Sequence, residues 1–72
     1  MDEEQQRQRA DLISRLFALI TMKLEDAAGI AADCQGRRPF GELHVPAKKL
    51  DVLISDVATV LAGTAALLGY DH

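Results

Sequence analysis

The sequence predicts an all-α fold: an antiparallel helical hairpin that dimerises into a four-helix bundle. Three observations lead there. Two long segments carry apolar residues in an alternation of three and four, and no period-two stretch competes with them. A connection holding two glycines and two prolines separates the segments. The chain also has only 72 residues and one cysteine, and chains below roughly 70 to 80 residues seldom bury enough apolar surface alone. Residues 1–72 therefore read as one domain, with a helix over 2–35, a loop over 36–45 and a second helix over 46–69.

The first helix opens at Asp2, whose carboxylate suits the free N–H groups of the first turn, with Gln5 three residues on as in a capping box. Glu3 and Glu4 match the positive end of the helix dipole. From Ala10 the apolar seam reads Ala10, Ile13, Phe17, Ile20, Leu24, Ala27, Ala31, Cys34, the spacing of a coiled-coil stripe. Leu12, Leu16 and Leu19 widen its first half, while Lys23, Asp26 and Asp33 close that flank further along. Gly36 supplies a residue able to turn left-handed at the carboxyl end, and Pro39 cannot continue the ladder. Arg37 and Arg38 follow, where the dipole favours cations.

The connection GRRPFGELHVP is longer than the commonest helix-to-helix links of 2 to 8 residues, so Phe40, Leu43 and Val45 are expected to fold back over the end of the bundle. Pro46 fits the first turn of the second helix, where its missing N–H costs nothing. The second seam reads Ala47, Leu50, Ile54, Val57, Leu61, Thr64, Leu68, with Leu53, Val60 and Leu67 as a neighbouring row seven apart. Gly69 marks the stop, leaving Tyr70, Asp71 and His72 as a tail.

A two-helix hairpin has a seam but no enclosed interior. Leu12, Leu16 and Leu19 on the first helix and Leu53, Val60 and Leu67 on the second form outer flanks, and these six are the expected dimer interface. Their burial is worth about 1.5 to 3 kcal/mol each, comparable to the stability of a small domain. Two-fold dimers are the commonest oligomers, and a second hairpin closes a four-helix bundle. Ala58, Ala62 and Ala66, with Thr59 and Gly63, add a stripe of small residues. It reads either as good helix formers on a semi-exposed face or as a place where another backbone approaches closely.

The formal charge of −3 and pI near 5.1 disfavour non-specific nucleic-acid binding, which rests on surplus Lys and Arg. Four cations nevertheless gather at the loop end: Arg37, Arg38, Lys48 and Lys49. The two lysines fall in the first turn of the second helix, against the dipole. They read either as a solvated turn or as a site for an anion or an acidic partner. Arg7, Arg9 and Arg15 line the first helix, with Asp11 placed to pair with Arg7 and Arg15 at four-residue spacing.

Cys34, His44 and His72 lack the spacing of a metal site, and Cys34 continues the seam as a small apolar residue. Ser14, Ser55, the threonines and His44 form no nucleophile–base motif. Neither catalysis, cofactor nor metal is expected. The opening MDEEQQRQR has no apolar signal region. The uncharged run VATVLAGTAALLG is shorter than the roughly 20 residues that a bilayer needs. A cytoplasmic protein without a membrane partner is the expectation.

In overall shape the inferred dimer resembles the Rop family of plasmid copy-number regulators, dimeric helical hairpins that bind paired RNA loops. That resemblance implies a nucleic-acid-binding regulator that would use the basic loop end. The residues themselves point first to a non-enzymatic protein–protein interaction module, a homodimeric adaptor or regulator whose loop end engages another protein.

Overall fold

A computed structural model describes residues 2–69. It is all-α: helix α1 spans Glu3–Asp33, a single 3-10 turn covers Phe40–Glu42, and helix α2 spans His44–Leu68. The tail from Tyr70 to His72 lies outside the described residues.

Each end of α1 has a local cause. Asp2 stands in extended backbone, and its Oδ1 accepts from the Gln5 N–H at 2.8 Å, which satisfies one of the free donors of the first turn. The far end closes two residues before the expected Gln35. Gly36 does not adopt the left-handed conformation anticipated for it; among the described residues only Gly69 does. The Cys34 N–H instead donates to the carbonyls of Ile30 and Ala31, Gln35 donates to Ala32, and the Arg38 Nε donates to the Asp33 carbonyl at 2.8 Å. One arginine thus meets an orphan carbonyl at the negative end of the dipole.

Helix α2 starts two residues earlier than Pro46. The 3-10 turn hands its last N–H, that of Leu43, to the Phe40 carbonyl, and Ala47 then donates to the Leu43 carbonyl as the first helical bond. Pro46 becomes the third helical residue, still among the positions whose N–H has no partner inside the helix. This shift moves Lys48 and Lys49 into the second turn, where the dipole has largely faded, so the charge conflict read from the sequence disappears. Gly69 ends α2 as expected, at φ 84°, with its N–H on the carbonyls of Ala65 and Ala66. Of the residues expected to cover the loop end, Leu43 is half-buried, but Phe40 and Val45 are 79% and 65% exposed. The Phe40 ring stands edge-on to His44 instead, at 5.5 Å.

Helices α1 and α2 are in contact with one another. Gln5 and Leu12 near the start of α1 share a depression with Leu67 near the end of α2, and Ile30 shares another with Val45 and Leu53. The inward row of α1 is Ile13, Leu16, Ile20, Lys23, Ala27, Ile30, Cys34, and that of α2 is Leu50, Leu53, Val57, Val60, Thr64, Leu67; all are half-buried or buried. Relative to the seam read from the sequence, α1 and the first half of α2 are rotated by about 50° at 100° per residue, while toward the end of α2 Leu61 stays half-buried and Ala65 is buried. Ile13, Ile20, Ala27 and Cys34 keep their places. Leu16 replaces Phe17, Lys23 replaces Leu24 and Ile30 replaces Ala31.

The result is one layer of helix. Cα extents are 57 × 19 × 12 Å and the radius of gyration is 16.6 Å, where a compact domain of this length would have about 11 Å. Among the described residues only Ala27, Thr64 and Ala65 are buried. Thr64 satisfies its hydroxyl within its own helix by donating to the Val60 carbonyl at 2.9 Å.

Candidate interaction surfaces

The rotation of the helices decides what the molecule shows to its surroundings. The row one residue after Leu16, Lys23 and Ile30 holds Phe17, Leu24 and Ala31, with Ala10 one turn-pair earlier. The matching row of α2 holds Ala47, Ile54, Leu61 and Leu68. In an antiparallel pair these two rows project to the same side, and Ala10 and Leu68 do line one shallow depression. None of the eight positions carries a charge. Phe17, Leu24, Ile54 and Leu68 are 45–52% exposed. Charges stand beside these rows, Asp51 toward the loop end and Arg7 toward the start of α1, and Arg9 lines the same depression as Ala10 and Leu68. We call this the apolar face.

The opposite face is built from the residues that precede the inward rows: Leu12, Leu19, Asp26 and Asp33 on α1, and Lys49, Asp56 and Gly63 on α2. It mixes exposed apolar groups, including Met22 and Val52, with these charges. The Lys23 Nζ reaches across to the Asp56 Oδ2 at 3.1 Å, the one ion pair among the described residues. Its stem lies in the inward row while its ammonium escapes to the rim. Both ends keep solvent contact, so the pair is worth at most about 1 kcal/mol. The expected pairing of Asp11 with Arg7 and Arg15 is not formed.

The six residues expected at a dimer interface divide between two environments. Leu16, Leu53, Val60 and Leu67 are half-buried between α1 and α2, because the rotation brings them inward. Leu12 and Leu19 remain outside, on the mixed face. Phe17, Leu24, Ile54 and Leu68, read from the sequence as seam, take the outward positions. Both rows obey the three–four alternation, so spacing could not rank them; the run of charges beside one row and not the other was the available signal.

At the loop end a groove of ≈ 640 Å³ opens on the mixed face, floored by Ile30, Val45, Val52 and Leu53 and edged by Asp26, Lys48 and Lys49. An adjoining depression brings Arg38 and Lys49 together with Asp33 and Glu42. The four loop-end cations therefore do not form an unopposed patch. Arg38 is engaged at the end of α1, Lys49 lines the same depression as Asp33 and Glu42, and Arg37 lines neither depression. Cys34 is half-buried beside that second depression, and no cluster of three metal-type ligands occurs among the described residues.

The small residues Ala58, Thr59, Ala62, Gly63 and Ala66 are exposed, and nothing lies within 4 Å of the space where a Gly63 side chain would sit. Helix α2 is more apolar than the uncharged run alone suggests. Asp51 and Asp56 are the only charges between Leu50 and Gly69, and the helical stretch ending at Leu68 is long and apolar enough, by length and composition, to cross a membrane.

No known family, curated protein or solved structure matches the chain.

Proposed function

We propose that the protein is a non-enzymatic interaction module: an antiparallel helical hairpin that pairs with a second copy as a four-helix bundle and acts as a small adaptor or regulator. One observation carries this reading. A single helix layer 12 Å thick, with three buried residues among those described, leaves ten large apolar side chains 37–79% exposed. A second layer removes them from water at about 25 cal/mol per Å². The loop-end groove, apolar at its floor and charged at its rim, supports engagement of another protein there.

Sedimentation equilibrium of the purified chain tests the reading. The expected mass is twice the 7.8 kDa of the chain at micromolar concentration. A fully helical monomer under those conditions would refute it.

A nucleic-acid-binding role for Arg37, Arg38, Lys48 and Lys49 is the second reading. It is supported by the gathering of four cations at one end of the molecule and opposed by Asp33 and Glu42 beside them. Replacing Lys48 and Lys49 with Gln and titrating with RNA at low salt separates the two. Phosphate binding falls steeply with salt and with the loss of each cation, whereas docking of an apolar segment does neither.

A further inference from the structure

A second copy can lie on either broad face, with its loop at the same end as the first or at the opposite end. We infer that it lies on the apolar face and runs reversed, its loop end over the amino-terminal end of the first copy. The inference rests on the dimer proposed above and goes on to assign its face and direction.

Charge selects the face. Docking through the mixed face would strip water from Asp26, Asp33, Lys49 and Asp56, which self-pairing has no surplus of cations to offset. The eight positions of the two central rows of the apolar face hold no charge to desolvate, and Arg7 and Asp51 stand beside them toward opposite ends of the hairpin. Area permits it: the broad face measures 57 × 19 Å between Cα atoms, about 1,080 Å², against the roughly 800 Å² per partner of a standard stable interface.

Packing selects the direction. Along the apolar face the antiparallel pairing sets Ala10 level with Leu68, Phe17 with Leu61, Leu24 with Ile54, and Ala31 with Ala47. With both loops at one end, the Ala31–Ala47 layers of the two copies coincide and four alanines leave that end of the core thin. Reversal sets the two alanines against Ala10 and Leu68 of the other copy, so the layers even out, as a close-packed core requires. Reversal also moves the two Asp51 carboxylates about 20 Å apart along the bundle, at 1.5 Å rise per residue, where the alternative would put them in one layer.

Single-cysteine variants of the full chain test this, each carrying Cys34→Ser and treated with a short bismaleimide linker. Thr21→Cys lies on the apolar side near the middle of α1 and is expected to link copy to copy. Met22→Cys, on the mixed face, is expected to stay at background. Ala28→Cys lies on the apolar side of α1 nearer the loop end; in the reversed dimer its two copies are about 22 Å apart along the bundle and do not link. Linkage through Met22→Cys and not Thr21→Cys would overturn the face, and efficient linkage through Ala28→Cys would overturn the direction. An unmodified chain that sediments as a monomer refutes the dimer reading itself. Flotation of the unmodified chain with phosphatidylcholine–phosphatidylglycerol vesicles, in place of a dimer in solution, would show lipid as the occupant and overturn the inference.

Discussion

The two broad faces of the α1–α2 pair are equal in length and similar in their count of exposed large apolar groups, yet they differ in what lies between those groups. On one, Phe17, Leu24, Ile54 and Leu68 stand among alanines. On the other, Leu12, Leu19, Met22 and Val52 are interrupted by Asp26, Asp33, Lys49 and Asp56. Exposed apolar area alone does not distinguish an interface from an ordinary surface, since much of any protein surface is apolar. The cost of desolvating the charges between the apolar groups does distinguish them.

The largest expected effect comes from placing a charge where the apolar face has none. Leu24→Glu is expected to weaken self-association by about 100-fold or more, because each copy must desolvate a carboxylate without a partner. Met22→Glu, the same chemistry on the mixed face, is expected to change stability by less than about 0.5 kcal/mol. Sedimentation of the two variants side by side measures the contrast, and equal loss of dimer in both would erase the distinction between the faces.

Next in size is the seam that both faces share. Leu53→Ala removes a half-buried side chain between α1 and α2 and should cost about 2 kcal/mol, the low end for leucine truncation. Val52→Ala, one residue away and 60% exposed, should cost less than about 0.5 kcal/mol. Urea unfolding of this pair checks the rotation of α2 directly, because the seam read from the sequence left both residues outside. Smallest of all is Lys23→Met, which deletes the cross-helix ion pair but keeps the stem in the inward row. A change within about 1 kcal/mol is expected, of either sign.

What could be read from the sequence follows from how local each signal is. The helical class, the cap at Asp2 and the stop at Gly69 are set by residues within one turn of the feature, and they are found where expected. The end of α1 was misplaced because Arg38 and backbone bonds close it without any left-handed turn at Gly36. The start of α2 was misplaced because a 3-10 turn at Phe40–Glu42 feeds directly into the helix. The seam was half legible. The row Ile13, Ile20, Ala27, Cys34 belongs to both possible stripes, but the choice between Phe17 and Leu16, or between Leu68 and Leu67, depends on contact between helices 33 or more residues apart in the chain. Lys23 misled most, since a lysine in a heptad stripe reads as its edge. Only Asp56 across the seam shows why it can stand inside.

The dependence of thermal stability on protein concentration probes the central claim most directly, because unfolding of a helix layer completed by a second copy is coupled to dissociation. Circular dichroism melts of the full chain at low and high micromolar concentration should show the midpoint rising with concentration. A midpoint independent of concentration, with full helix content at the lowest one, would show that a single α1–α2 layer is stable alone and contradict the claim.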